Sequence, residues 1–444
     1  MKNLQSRYDI VVIGGGIGGM VAGALLARDG YSVLMLEKLP VPGGRYTSED
    51  YKGFKIGTGS WALGLHGPQG PVYKTLMDLG CKLDIRAPGP PDRVTRIHGV
   101  DIPMPESGGF RTIISRVARS KAEEERVMTC TRKALTGEKP APEDVTAQQW
   151  VGSITDNPLI HGMFDFFIRA MSAINYEDIS AGRYINYLRT FGRLKGVTTT
   201  VRDGNGSVTK ALIDVLRSHG GDVMTLAEVR EVVIANGRAA SVVFRDRQGV
   251  EREIQAACVI SNVGPKVTVE LAGRKNFPEE HLREVDGLVP TVATTVIWSY
   301  DEPLGGYDGF YSFIDTPRLT TVWEPYHLWP TYTAGGKCMA YAFMTMKSKD
   351  IESELEKGVA EVYANFPALE KAEIVTSLMM RDGWPILRAS GKGLPVRTPL
   401  SGLYSVGDGN MPDGWLCGEG VVMGVHEAVG DIRSKYHPQR QEAR

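Results

Sequence analysis

The chain has 444 residues, 42% of them hydrophobic, enough to bury the cores of two cooperating domains. Lys plus Arg number 51 and Asp plus Glu 52, without a basic run, so no electrostatic excess draws the protein to nucleic acid. Five cysteines without a C-x-x-C pair and 8 histidines without an H-E-x-x-H spacing are expected of a reduced, cytoplasmic protein with no metal site.

The first predicted element is IVVIGGGIGGMVAGALLA at 10–27. It is long enough for a membrane-spanning helix, but Asp9 directly precedes it, no basic n-region or cleavage site flanks it, and glycines interrupt it. The β-branched run YDIVVI predicts a strand and MVAGALLARDG a helix, with Gly14, Gly16, Gly19 and Gly23 spaced through the turn and the helix. Gly14 permits the tight turn, Gly16 has no Cβ to hold a diphosphate away, and Gly19 and Gly23 let helix and strand pack closely. The helix start, at Ile17 and Gly18, then offers unpaired N–H groups to phosphate. A second strand, YSVLMLE, ends at Glu37, beside Lys38, where a carboxylate accepts ribose hydroxyls and repels a 2'-phosphate. A dinucleotide site is predicted here.

The segment from Lys38 to Leu65 is glycine-dense and aperiodic, which predicts an extended loop along a ligand. A short helix follows at 69–80, and from Pro103 to about Leu194 the helical period dominates, with Pro158 opening one helix after Asn157. Within this module the stripe MFDFFIRAM at 163–171 is a candidate for core, for a channel wall facing an apolar substrate, or for peripheral contact with a membrane. A helix from about Val208, a short strand and a β-meander with turns at Asn236-Gly237 and Gln248-Gly249 come next, closing on ACVISN. Residues 291–346 are rich in strands, and 350–380 hold a helix and a strand. Near the end, GLYSVGDGN predicts a strand, the pair Gly407-Asp408, a loop, and a helix beginning near Leu416. The expected class is α/β, with a discontinuous nucleotide domain (1–90, 205–275, 378–444) and a substrate domain carrying the helical insertion (91–204, 276–377).

Taken as a set, GGGIGGMVAG, Glu37, PGGR at 42–45, VISNVGP and GLYSVGDGN resemble the flavoprotein superfamily of phytoene desaturases, carotenoid isomerases, retinol saturases and flavin amine oxidases, the desaturase branch most. The resemblance implies a Rossmann-like, GR2-type domain that binds FAD non-covalently. By that likeness Gly14, Gly16 and Gly19 cradle the diphosphate, Glu37 takes the adenosine ribose, and Gly44 and Arg45 serve the phosphate and ring region. Val229 meets adenine through its backbone, Gly407 and Asp408 meet the ribityl-diphosphate stretch, and Leu416 and Cys417 bring backbone N–H groups to the ring edge. Three features depart from the family: Gly57 replaces an aspartate of the GF-x-x-D-x-G turn, the ring-facing loop carries Trp415, Cys417 and Glu419, and the lysine used by amine oxidases has no counterpart in VATTVIWSYDEP.

Since the cofactor carries the hydride, such a site needs few acids and bases. The candidates are Trp384 as an aromatic wall, Trp415 as a pocket closure, and Glu419 as a proton carrier, each against a plain packing or capping role. Glu419 and His426, seven apart, share one helix face. Cys417 is read as a small filler rather than a redox thiol. The leading expectation is an FAD enzyme that desaturates, saturates or isomerises carbon-carbon bonds of an apolar, isoprenoid-like substrate by hydride transfer at flavin N5. Amine or protoporphyrinogen oxidation is the alternative within the family, and a flavin-free lipid carrier resembling Rab GDP-dissociation inhibitors is the alternative outside it.

Overall fold

The computed structural model describes residues 4–88, 93–288, 290–305, 309–326, 328–333, 335–381 and 393–438. The first sheet is built around the strand Arg7–Ile13, which is buried at every position but the first. Val33–Leu36 and the C-terminal half of Glu251–Ser261 pair with it in parallel on either side. Asp222–Met224 and Leu403–Ser405 extend the parallel array outward. Parallel strands covered on both faces read as continuous apolar runs, which is what IVVI and VLML are. The N-terminal half of Glu251–Ser261 diverges into an antiparallel meander with Arg238–Arg245 and Glu228–Ala235. Its first turn is the expected Asn236-Gly237, with φ of 50° and 71°, the paired left-handed geometry that suits a two-residue hairpin.

Helices Ile17–Arg28, Asn205–Ser218 and Cys417–Lys435 cover one face of this sheet, and Pro265–Ala272 with the meander covers the other. The second sheet has the order Glu373–Met380, Ala293–Tyr300, Cys338–Thr345, Leu319–Trp323, Phe310–Phe313, Arg93–Ile97, Val100–Pro103. All its pairs are antiparallel except Phe310–Phe313 with Arg93–Ile97. The helix Ile351–Asn365 packs on one face, and an aromatic cluster lies on the other.

The helical module comprises Gly109–Val117, Lys121–Thr136, Ala147–Gly152, Pro158–Ser172 and Ala181–Arg193 around a core of its own. The helical stretch after Gly108 is two helices: the first ends at Val117, with Ala118 in extended backbone, and Ser120 caps the second by accepting from Glu123 N. Arg169, 1% exposed, fastens this module to the second sheet, donating to Pro317 O at 2.8 Å and Thr316 O at 3.0 Å. The stripe 163–171 is divided between roles: Met163, Phe164 and Ile168 are core, while Met171 borders a cavity. Part of the segment expected to be an extended loop is a hairpin, Ser48–Tyr51 with Phe54–Gly57. Among the described residues no helix is long and apolar enough to cross a membrane.

Candidate functional site

A cavity of about 790 Å3 runs from the C-terminal ends of the parallel strands to the aromatic face of the second sheet. Its floor is the turn after Ile13. Gly14, at φ 89°, leaves the strand in a conformation that glycine adopts without strain. Gly16 is the N-cap of Ile17–Arg28 and no side chain caps it, so first-turn N–H groups and the positive end of the helix dipole remain for an anion. Gly14, Gly16 and Ile17 line the cavity. Gly18 and Gly19 lie behind it: a Cβ on Gly18 would meet the Asn262 amide, and one on Gly19 would overlap the carbonyl oxygen of Gly14. Gly19 therefore serves helix-strand packing rather than the ligand directly.

Glu37, Lys38 and Val229 line one end of the cavity. The Glu37 carboxylate is 5% exposed and accepts from Gly15 N at 2.6 Å and Leu39 N at 2.8 Å, which orients it while each oxygen keeps a second lone pair for a ribose hydroxyl. The backbone ties this corner to the meander through Glu37 N to Met224 O and Ala227 N to Glu37 O, both 2.8 Å. Gly44, Arg45, Gly407 and Asp408 line the middle. Arg45 Nη2 donates to Asp408 Oδ2, so two residues assigned separately from the sequence form one ion pair bordering the cavity. Asn262 is a lining residue the sequence reading did not single out: its amide sits beside Gly16, Gly18 and Gly407. Its signal was the end of the strand in VISNVGP, which lies beside the first strand, with Asn262 N donating to Ile13 O at 2.8 Å.

Toward the second sheet the lining changes character. Cys417 and Gly418, at the start of the C-terminal helix, border the cavity, whereas the Leu416 side chain is buried in the helical core. Cys417 holds φ at 54°, and its Sγ donates to Met171 O. Tyr46 donates to Leu63 O, and burial first, then the charge of Glu419, hold its hydroxyl well above the ordinary tyrosine range. The far wall is Trp61, Met171, Phe310, Thr321, Phe343 and Met380. Trp61 stacks on Trp323 with centroids 4.6 Å apart and rings 19° from parallel, and Trp323 is fully buried against Tyr332 and Tyr341.

Of the three catalytic candidates, the two that are described do not border the cavity. Trp384 lies outside the described residues. Trp415, expected to close the pocket, does not border the cavity; its ring makes a T-shaped contact with His66 at 5.9 Å, whereas Trp61 does border the cavity. Glu419 is 1% exposed and also off the cavity, with its oxygens taken by backbone N–H groups of Leu65, His66 and Val72. A carboxylate committed in this way caps and clasps rather than carrying a proton to a ring. Glu419 and His426 do share a face: both meet the helix Pro71–Asp78, His426 through Thr75 Oγ1 at 2.7 Å.

Residues 17–411 match the family model of flavin containing amine oxidoreductases. The chain belongs to that family. This flavin oxidoreductase is similar to a solved oxidoreductase of Methanosarcina mazei at 27% identity and TM-score 0.85, over 95% of this chain and 99% of that one. It is 23% identical to the chloroplastic prolycopene isomerase of Daucus carota over 96% of this chain and 80% of that protein. The fold is shared with a putrescine oxidase, at 16% identity and TM-score 0.74 over 97% and 99% of the two chains. The cradle fits the cofactor of such a family: glycine-walled at the turn, uncapped at the helix start, and bordered by Arg45.

Proposed function

We propose that this oxidoreductase binds FAD non-covalently and acts on carbon-carbon bonds of an apolar, isoprenoid-like substrate, as a desaturase, saturase or isomerase. The first sheet with its helices (1–90, 205–275, 378–444) is then a Rossmann-like, GR2-type domain, and the second sheet with the helical module (91–204, 276–377) holds the substrate. The observation that carries the reading is the far wall, where Trp61, Met171, Phe310, Phe343 and Met380 surround the space beyond Arg45 and Asp408. Among the described lining residues there, none is a carboxylate, lysine or histidine, so none of these residues offers a counter-charge to an ammonium group or a base to an amine.

Bound in the cavity, the flavin supplies two-electron redox chemistry to a carbon held against its ring. The chain's residues bind and orient. Gly14 and Gly16 admit the diphosphate, Arg45 offsets its charge, and Glu37 accepts from the ribose. Backbone N–H groups of Leu416 and Cys417, at the start of the C-terminal helix, would stabilise negative charge at the ring edge. Trp61, stacked on Trp323 and tilted against Phe310, would exclude water and hold an apolar chain with Phe310 by contact area rather than by charge.

The test is to purify the protein, identify any co-purified cofactor by mass, and mix the oxidised and the reduced forms anaerobically with isoprenoid and lipid extracts. A change in flavin absorbance with a product of altered unsaturation or geometry supports the proposal. Peroxide release with a panel of amines, and none of the above, would reassign the site to amine oxidation. Colourless protein that fails to retain added FAD would point to the lipid carrier.

A further inference from the structure

Glu419 is buried and lies off the cavity, yet it joins a wall segment of the cavity to the start of the helix Pro71–Asp78. Its carboxylate accepts from Val72 N at 2.8 Å, Leu65 N at 3.1 Å and His66 N at 3.3 Å. Leu65 and His66 end the wall segment that borders the cavity from Gly59 to Leu65. Val72 is in the first turn of Pro71–Asp78, whose N-cap, Gly70, provides no side-chain cap. Glu419 itself is in the first turn of Cys417–Lys435, whose N-cap likewise provides none. Two helix N-termini therefore converge on one buried anion, the arrangement their dipoles favour. The backbone leaves room for it: a Cβ on Gly64 or Gly70 would lie 2.6 or 2.5 Å from Oε1.

We infer that Glu419 is a positioning residue for the ring end of the flavin site, setting the gap between the wall Gly59–Leu65 and the backbone of Cys417 and Gly418. The inference rests on the proposed placement of FAD. The other end of the cavity is built from Gly14–Ile17, Glu37, Lys38 and Val229, and the three backbone donors to Glu419 come from none of these segments. The two ends are therefore separable in an experiment. The carboxylate's charge is felt on the lining itself, where it contributes to raising the Tyr46 hydroxyl after burial.

The experiment compares binding of FAD with binding of ADP, which carries the adenosine and diphosphate but no ring, to native protein and to E419Q, G70A and E419D. E419Q presents an amide N–H₂ where the carboxylate accepts from backbone N–H groups. G70A keeps the charge and pushes on it, at a position whose φ of −73° alanine tolerates. A charge-assisted hydrogen bond governs roughly a tenfold change or more. We expect E419Q and G70A to bind FAD about tenfold or more weakly, with a shifted visible flavin band, while ADP affinity stays within about twofold of native and E419D recovers part of the loss. If E419Q does not fold, G70A carries the test alone. Equal losses for FAD and ADP, or no loss for either, would overturn the inference and leave the flavin site standing. Native protein that binds ADP but not FAD would overturn both.

Discussion

Replacing Gly19 by alanine adds one methyl group inside the helix Ile17–Arg28, at its contact with the turn below. The new Cβ would fall well inside 3.0 Å of the Gly14 carbonyl oxygen and 3.1 Å from Val12 Cγ1. The first obstacle is backbone, so a rotamer change cannot relieve it, and the helix must withdraw by about 1 Å. In a helix interior alanine is favoured over glycine by about 1 kcal/mol, but overpacking of this kind costs about 1–3 kcal/mol or more. The net expectation is a loss of about 1–2 kcal/mol. Gly430 provides the matched control. It sits exposed in Cys417–Lys435 with nothing within 4 Å of its Cβ position, so G430A should gain about 0.5–1 kcal/mol. The same substitution in two helices is thus predicted to have opposite signs. The assay is the thermal midpoint of each variant with and without FAD, together with FAD affinity by titration. G19A should lose FAD affinity as well, because the displaced turn carries Gly14 and Gly16. If G19A matches native protein in both midpoint and FAD affinity, the packing argument for the turn is wrong.

Removing Arg45 takes the cation from beside Asp408 and from the phosphate path, so R45A should weaken FAD by roughly ten- to a hundredfold. D408N, which leaves the cation in place, should weaken it less; an equal or larger effect of D408N in the same titration would contradict the assignment. Glu354 is buried, which alone would raise its pKa, but Arg318 in a two-pronged pair at 2.8 and 3.0 Å and Lys347 N at 3.0 Å hold it below the usual carboxylate range. A depressed carboxylate stabilises the fold above its unfolded pKa and loses that contribution as the pH falls through the folded one. E354Q should therefore cost about 2 kcal/mol near neutral pH, and the difference from native should shrink in acid; denaturation midpoints across pH that run parallel would refute this. Cys417 donates its thiol proton to Met171 O, so C417A should keep bound flavin and its photoreduction. Loss of reducibility in C417A would revive a redox thiol.

The parts of the site that were legible in the sequence are local. The spacing of Gly14, Gly16 and Gly19, and Glu37 at the end of the next strand, are set within one strand-helix-strand unit, and the chain order alone places them. Pairings across the chain were not legible. Arg45 and Asp408 are 363 positions apart, and nothing in either segment says that they meet. Helical periodicity correctly placed Glu419 and His426 on one face, yet it could not say that the facing element is the helix Pro71–Asp78 with an uncapped N-terminus. That missing neighbour decides whether a buried carboxylate moves protons or holds backbone. The break between Val117 and Lys121 lies inside the stretch where the helical period dominates, because periodicity reports a face and not where one helix ends and the next begins.

The substrate wall marks a different boundary. Alternation along Cys338–Thr345 puts Tyr341 and Phe343 on the same side of the sheet, but their surroundings differ: Tyr341 packs beneath Trp323, while Phe343 borders the cavity. A period of two assigns a face and says nothing about which end of it another segment covers. Here the covering residue is Trp61, from the glycine-dense stretch after the second strand, which lies on Trp323 and leaves Phe310, Thr321, Phe343 and Met380 to line the space. On the proposed function, this one indole would set how much of the second sheet a substrate can reach, so W61A should widen the accepted substrates at constant FAD affinity. A W61A protein that lost FAD instead, in the same titration used for R45A, would place the indole with the cofactor and not with the substrate.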